Sequence, residues 1–398
     1  MSIIVQKFGG TSVASDESRE RVLDKIIKEK DAGNKVVITV SAMGRKGSPY
    51  ATDTLISLGT DLKPREMDLL MSCGELISAS VVVNGLMRRG YNACVLTGAQ
   101  AGILTNETYN DANILRVNPQ RIVNALSDDI IPVIAGFQGM SEFGNITTLG
   151  RGGSDTTAAI LAEAISADET HIYTDVDGIM TADPRVCREA TVIDAISYSE
   201  VFQMADSGAK VIHPRAVEVA RRSGIPLYIK NTFSNAEGTA IIHCPKPGSI
   251  VLEGNECKLI TSIAHLNDRV QFIIEEGPSD DAFIFPLLAD KGVSIDIINI
   301  FPSRKVFTVD KKQVWIVSEV LEQNKITYET IEDCSKVTII GERMTGVPGV
   351  MARIITSLQK EKIPLLQTAD SLTTIACLIH SKDLERAVSV LHRTFDLA

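Results

Sequence analysis

Lys7-Phe8-Gly9-Gly10-Thr11-Ser12 follows directly on the apolar run Ile3-Ile4-Val5. A strand that ends in a lysine, two glycines and two hydroxyl residues is suited to holding phosphate. Glycine lets backbone amides approach an anion with no side chain in between. The start of a following helix adds N–H donors and the positive end of its dipole. Lys7 adds a full charge. A second loop of the same character, Gly150-Arg151-Gly152-Gly153-Ser154-Asp155, opens another helix-like stretch. Two anion-ready loops imply two anionic ligands. Neither loop has the Walker spacing or the G-x-G-x-x-G dinucleotide spacing, and the H-R-D and D-F-G elements of protein kinases are absent.

Outward from these loops, the first 245 residues alternate in type. Strand-like runs are expected at Ile3–Gln6, Val36–Val40, Ala93–Leu96, Ile130–Ala135, His171–Tyr173, Pro226–Ile229 and Thr239–Ile242. Helical patterns fall at Glu17–Ala32, Glu66–Arg89, Gln120–Leu126, Asp155–Ser166, Ser199–Ala209 and Arg215–Ser223. The strands are continuously apolar, as in a sheet covered on both faces. This reads as an α/β sandwich, whose ligands lie at the carboxyl ends of its strands. Both glycine loops fall there.

Cys244-Pro245-Lys246-Pro247-Gly248-Ser249 reads as a domain boundary, and the grammar changes after it. Strand–helix–strand units are expected at Val270–Ile274, Phe283–Asp290 and Val293–Ile300, and again at Val337–Gly341, Val350–Glu361 and Ile363–Thr368. Each continues into a further strand, Val314–Val317 and Thr374–His380, and the second ends in a helix at Leu384–Phe395. Two β-α-β-β-α-β modules fit this repeat. A pair of small modules suggests regulation or dimer formation.

The net charge is −10, from 40 basic and 50 acidic residues, which argues against nucleic acid or an anionic membrane as partner. No apolar run reaches the roughly 20 residues that cross a bilayer, and no signal peptide is visible. Seven cysteines without a C-x-x-C pair fit a reduced, cytoplasmic protein with no protein-built metal site.

Several residue types in and near the loops carry chemistry. The planar fork of Arg151 suits a carboxylate or phosphate. Ser154 and Asp155 can serve as a cap and a favourable first-turn charge, or meet a ligand. Thr174-Asp175-Val176-Asp177-Gly178 is either an Asp-Gly turn or a nucleotide contact at a strand end; it lacks EF-hand spacing. Arg185 and Lys210 are further basic candidates. Glu75, in a largely apolar helix, reads either as an exposed face or as a partner for an ammonium group.

Together, KFGGTSV (Lys7–Val13), Val40-Ser41-Ala42-Met43, Gly74-Glu75, TLGRGGSDTT (Thr148–Thr157), YTDVDG (Tyr173–Gly178), ADPR (Ala182–Arg185) and GAKV (Gly208–Val211) resemble the aspartate kinases of the amino-acid kinase superfamily. The tail resembles their paired ACT domains. The resemblance implies an amino-acid-kinase-like α/β/α sandwich over residues 1–245. A regulatory region, 246–398, would follow with two ferredoxin-like ACT modules near 267–333 and 334–398. These would be interleaved through a strand near 259–266. It also implies ATP- and Mg2+-dependent phosphorylation of the L-aspartate side-chain carboxylate, the first step toward lysine, threonine and methionine. By similarity, Lys7, Phe8, Gly9, Gly10, Thr174, Asp175, Met180, Arg185, Lys210 and Val211 would hold ATP. Ser41, Thr52, Glu75, Arg151, Gly152 and Ser154 would hold aspartate, and Lys7, Asp155 and Lys210 would be catalytic. A feedback amino acid, lysine or threonine, would sit near Ser279, Asp280, Ser294 and Asp296 in a homodimer or larger assembly. No homoserine dehydrogenase portion is expected, because the chain ends with the second module. Alternatives are a kinase for glutamate or acetylglutamate, and an amino-acid sensor without activity. The nucleophile would be a carboxylate, ionised at neutral pH, so no general base is needed. The obstacle is repulsion between anions, worth several kcal/mol at about 4 Å and an effective dielectric near 20.

Overall fold

The computed structural model describes residues 1–209, 211–243, 259–275, 284–342, 344 and 347–398. Lys210, the expected boundary at Cys244–Ser249, Phe283, and Ser279 and Asp280 of the expected effector set lie outside the described residues. Two compact units are present. One holds Met1–Ile179, Val192–Phe202 and the described part of Lys210–Val251; the other holds Met180–Thr191, Gln203–Ala209 and the described part of Leu252–Ala398.

Through residue 243 the elements run β1 (Ile3–Phe8), α1 (Asp16–Asp31), β2 (Lys35–Val40), α2 (Thr52–Leu58), α3 (Pro64–Arg88), β3 (Ala93–Leu96), β4 (Ile103–Thr105), β5 (Ile114–Val117), α4 (Gln120–Ser127), β6 (Ile131–Ala135), β7 (Gln138–Ser141), β8 (Ile146–Thr148), α5 (Gly153–Ile165), β9 (Glu169–Thr174), β10 (Ala195–Ser197), α6 (Tyr198–Asp206), α7 (Pro214–Ser223), β11 (Leu227–Asn231) and β12 (Thr239–Ile242). Eight of these strands form one sheet in the order β10-β12-β11-β9-β1-β2-β6-β3. All its pairs are parallel except β11 with β12. Successive residues of β1, Ile4 and Val5, point to opposite faces, and both are buried. Helices therefore cover the sheet on both sides, which explains why its strands read as unbroken apolar runs.

The chain leaves β1 toward β2 and later returns on the other side as β9. Such a reversal opens a crevice beyond the carboxyl ends of the central strands. A second sheet, in the order β5-β4-β7-β8, was not foreseen from the sequence. Its strands have only three or four residues each.

Helix α3 corrects the expectation about apolar runs. It is long and apolar enough to cross a membrane by length and composition, but half of that stretch is buried within the protein. It packs on the sheet with Ala79, Val82 and Leu86, and carries two buried carboxyl groups, Asp68 and Glu75.

The second unit contains β13 (Ser262–Glu275), α8 (Ile284–Asp290), β14 (Ile298–Phe301), β15 (Arg304–Asp310), α9 (Val314–Gln323), β16 (Tyr328–Ile340), α10 (Val350–Lys360), β17 (Gln367–Asp370), β18 (Thr374–His380) and α11 (Leu384–Thr394). Its antiparallel sheet has the order β14-β15-β13-β16-β18-β17. Strands β13 and β16 are each long enough to serve both modules. Ser262–Leu266 pairs with Lys336–Ile340, and beyond a register shift the rest of β13 pairs back along β16 to Tyr328. Two cores result. One gathers Phe272, Phe307 and Leu288; the other gathers Ile263, Val337, Ile354 and Leu391. Ala182 and Cys187, from the Met180–Thr191 segment, are buried in the second core.

Two sequence expectations fail here. Val314–Val317 is the first turn of α9 rather than a strand, because Val317, Val320 and Leu321 bury one helical face. The strand that precedes it is β15. The strands expected at Val293–Ile300 and Ile363–Thr368 begin only at Ile298 and Gln367.

Candidate active site

Each catalytic element reaches the crevice for a local reason. After Phe8 the chain turns through Gly9 and Gly10, braced by Gly9 N–H donating to the Tyr173 carbonyl (3.3 Å) and Gly44 N–H donating to the Gly10 carbonyl (2.9 Å). A Cβ at Gly10 would lie 2.6 Å from the Gly44 oxygen, so this crossing requires glycine. The second loop turns into α5 at Gly152, which has φ of +68°. There a Cβ would lie 2.2 Å from the His213 side chain. No side chain caps α5; Gly153 N–H donates to the Gly150 carbonyl at 3.1 Å, and the next amides, of Ser154 and Asp155, are placed to meet an anion.

Lys7 Nζ lies 2.7 Å from the Asp155 carboxylate, with both side chains mostly buried. Between these elements is a cleft of about 560 Å3 lined by Lys7, Ser41, Thr52, Glu75, Gly150–Asp155 and, unforeseen from the sequence, Asp53, Met71, Asn110 and Phe137. The structure thus gathers in one cavity the whole expected aspartate set (Ser41, Thr52, Glu75, Arg151, Gly152, Ser154) with Lys7 and Asp155. Ser154 is not the cap that its position suggested; it lies within the first turn of α5.

Glu75 is 2% exposed. Its Oε1 accepts the Ala42 N–H at 3.2 Å, while its Oε2 is buried without a hydrogen-bond partner. Burial pushes this carboxyl up to about 8, only partly offset by backbone hydrogen bonds. Arg151, by contrast, is exposed, and among the described residues it has no ion-pair partner. The cleft therefore holds a buried carboxyl without a cation and an open guanidinium without an anion. An amino acid carries the matching pair of groups.

The expected nucleotide residues are more dispersed. Phe8 is fully buried and stacks on Tyr173 at 4.7 Å, so its side chain belongs to the core. Thr174 and Asp175 stand at the carboxyl end of β9, next to β1 in the sheet. Asp175 pairs with Arg45 at 2.6 Å across two exposed loops. Met180 and Arg185 belong to the second unit, and Arg185 is clamped by both oxygens of Asp183 at 2.7–3.2 Å. Val211 lies in the first unit, half-buried. Of the effector set, Ser294 is exposed, and Asp296 forms an ion pair with Lys336 at 2.5 Å.

Residues 2–231 match the amino acid kinase family, and residues 329–393 match an ACT domain. Fold, cleft and match define a kinase of small amino acids that carries ACT modules. Aspartokinase 1 of Bacillus subtilis (strain 168) is 44% identical over 407 aligned residues, spanning 100% of both chains. E. coli aspartokinase III in complex with aspartate and ADP has a TM-score of 0.74 to this chain at 25% identity, covering 99% of this chain and 100% of that one. The same enzyme with lysine and aspartate gives 0.76 at 25% identity, covering 99% of each. The chain belongs to the aspartokinase family: it is an ATP-dependent kinase of L-aspartate.

Proposed function

We propose that the cleft binds L-aspartate by its two α-substituents and presents the side-chain carboxylate to the γ-phosphate of ATP. The Arg151 fork takes the α-carboxylate, and the unpartnered Glu75 oxygen takes the ammonium. Ser41, Thr52 and Ser154 supply short hydroxyl contacts. The β-carboxylate oxygen then bonds to the γ-phosphorus as the bond from phosphorus to the bridging oxygen breaks, and ADP leaves with that electron pair. Lys7, held by Asp155, offsets the charge on the transferred group; Gly9, Gly10 and the first-turn amides of α5 complete the cradle. Thr174, Asp175 and Val211 face the nucleotide, with Lys210 as the second cationic candidate. Catalysis on this reading is positioning plus charge stabilisation.

No cluster of three acidic, histidine or cysteine side chains able to hold a metal occurs among the described residues. That fits Mg2+, which is bound through nucleotide phosphates with one or two carboxylates. Asp155 is the carboxylate beside Lys7 that would meet it, and the ion would neutralise phosphate charge. Lysine, bound by E. coli aspartokinase III in one of its structures, is the first candidate effector; the proposed effector site includes Ser294 and Asp296. We also propose a homodimer paired through its modules, and a cytoplasmic location. Cys73, Cys94, Cys187, Cys334 and Cys377 are free thiols, which fits a reducing compartment.

One observation carries the substrate reading: Glu75 Oε2 is buried and unpaired in the same cavity as Arg151. Coupled ADP release with L-aspartate, L-glutamate, N-acetyl-L-glutamate and N-acetyl-L-aspartate tests it. Turnover is expected with L-aspartate and lost with the N-acetylated acids, which lack the ammonium; brisk phosphorylation of N-acetyl-L-aspartate would overturn the role of Glu75. Adding lysine, threonine or methionine in turn to the same assay identifies the effector.

A further inference from the structure

Asp68 lies seven residues before Glu75 on α3, and hence on the same buried face. It is fully buried, yet among the described residues no lysine or arginine pairs with it. Its oxygens instead accept three donors: Thr148 N–H at 2.8 Å, Thr148 Oγ1–H at 2.8 Å, and Asn110 N–H, shared between both oxygens at 3.0 and 3.1 Å. Burial pushes this carboxyl above its ordinary pKa, and the hydrogen bonds from Thr148 and Asn110 only partly offset that.

A buried carboxylate without a cation is costly to keep. A fully occupied set of acceptors does, however, specify one geometry. What this set specifies lies beside the cleft. Thr148 ends β8, three residues before Arg151, and Asn110 itself lines the cavity. Asn110 has φ of +66°, a left-handed turn conformation that asparagine adopts more readily than most residues with a side chain. Its neighbour Asp111 receives Arg215 at 2.8 Å, and the same guanidinium donates to the Leu149 carbonyl at 3.1 Å. Ala112 N–H donates to the Thr148 carbonyl at 2.8 Å. The two chain segments are thus pinned together on either side of Asp68.

We propose that Asp68 is a positioning residue for aspartate phosphorylation: by holding Thr148 and Asn110 it sets the loop that aims Arg151 into the cleft. This rests on the reading of Arg151 as receptor for the α-carboxylate. Asp68 touches neither substrate, and its effect passes through the loop.

The test is steady-state kinetics of the full chain. Asp68→Asn places an amide donor against a donor. It is expected to raise the aspartate KM roughly tenfold while the ATP KM stays within about twofold. Thr148→Val removes only the hydroxyl donor and gives a smaller rise of the same kind; Thr148→Ser, which keeps it, restores the parent value. In an Arg151→Ala background, Asp68→Asn adds less than about twofold, because a loop without its guanidinium has nothing left to aim. An aspartate KM unchanged in folded Asp68→Asn overturns the proposal. Should that variant fail to fold, a lowered Tm with unchanged aspartate KM in Thr148→Val does the same. A full Asp68 effect persisting without Arg151 also overturns it. If Arg151→Ala alone leaves the aspartate KM untouched, the underlying reading falls, and the proposal with it; that outcome is read with Asp68 intact.

Discussion

The cleft of the first unit and the polar network around Gln367 in the sheet of the second are built in opposite ways. That network satisfies itself, although Ser262 Oγ and Thr338 Oγ1 elsewhere in the same sheet are buried without a hydrogen-bond partner. Gln271 Nε2 donates to Gln367 Oε1 at 2.9 Å, Gln367 Nε2 donates to Asn299 Oδ1 at 2.7 Å and to the Val306 carbonyl at 3.1 Å, and Lys336 pairs with Asp296. In the cleft the polar groups are left incomplete: Glu75 has a bare oxygen, and Arg151 has no anion. A closed network fixes one arrangement of the chain. An open one is stabilised only when a ligand supplies the missing partners.

The largest expected break in this contrast is Lys7→Ala. It should lower kcat roughly 10²–10³-fold, the scale on which one preorganised charge-stabilising group acts. Circular dichroism should show the fold retained. Near-normal turnover would remove Lys7 from the chemistry. Next, Arg151→Lys keeps the charge but loses the fork. We expect the aspartate KM to rise about tenfold with the ATP KM unchanged, as for one lost charge-assisted hydrogen bond.

Glu75 sharpens the contrast through pH. Its carboxyl is raised from 4.5 to about 8, so the ligand-free protein is stable with respect to this group at low pH and loses that contribution as pH rises through about 8. The ammonium of aspartate favours the ionised form. The aspartate KM should therefore fall between about pH 6.5 and 8, and Glu75→Gln should flatten the profile at a higher KM. A pH-independent KM in the parent enzyme would contradict the buried, ammonium-seeking carboxyl. Last, Gln367→Leu should cost roughly 1–3 kcal/mol in denaturant unfolding by orphaning its partners, with kinetics unchanged when no effector is present.

Much of this was legible in the sequence. The central strands announced themselves because burial on both faces leaves unbroken apolar runs, and the glycine loops because only glycine permits such crossings. The small sheet was hidden because a strand of three residues, such as Ile103–Thr105, is too short to show a period. Val314-Trp315-Ile316-Val317 has the composition of a strand, but the residues that follow bury a helical face. Nothing in the sequence singles out Asp68, and only the folded chain brings Thr148 and Asn110 around it. The sequence also left open whether Glu75 was exposed or paired, since composition cannot tell which face of α3 meets the loop after β2.

The long partners β13 and β16 each finish one module and begin the other. Neither half of the tail can close its interior alone. A protease cut between α9 and β16 should therefore yield no surviving fragment of half size, and a calorimeter should record one melting event for the pair. A small molecule that tightens either half must then stiffen its sibling along the same two rails.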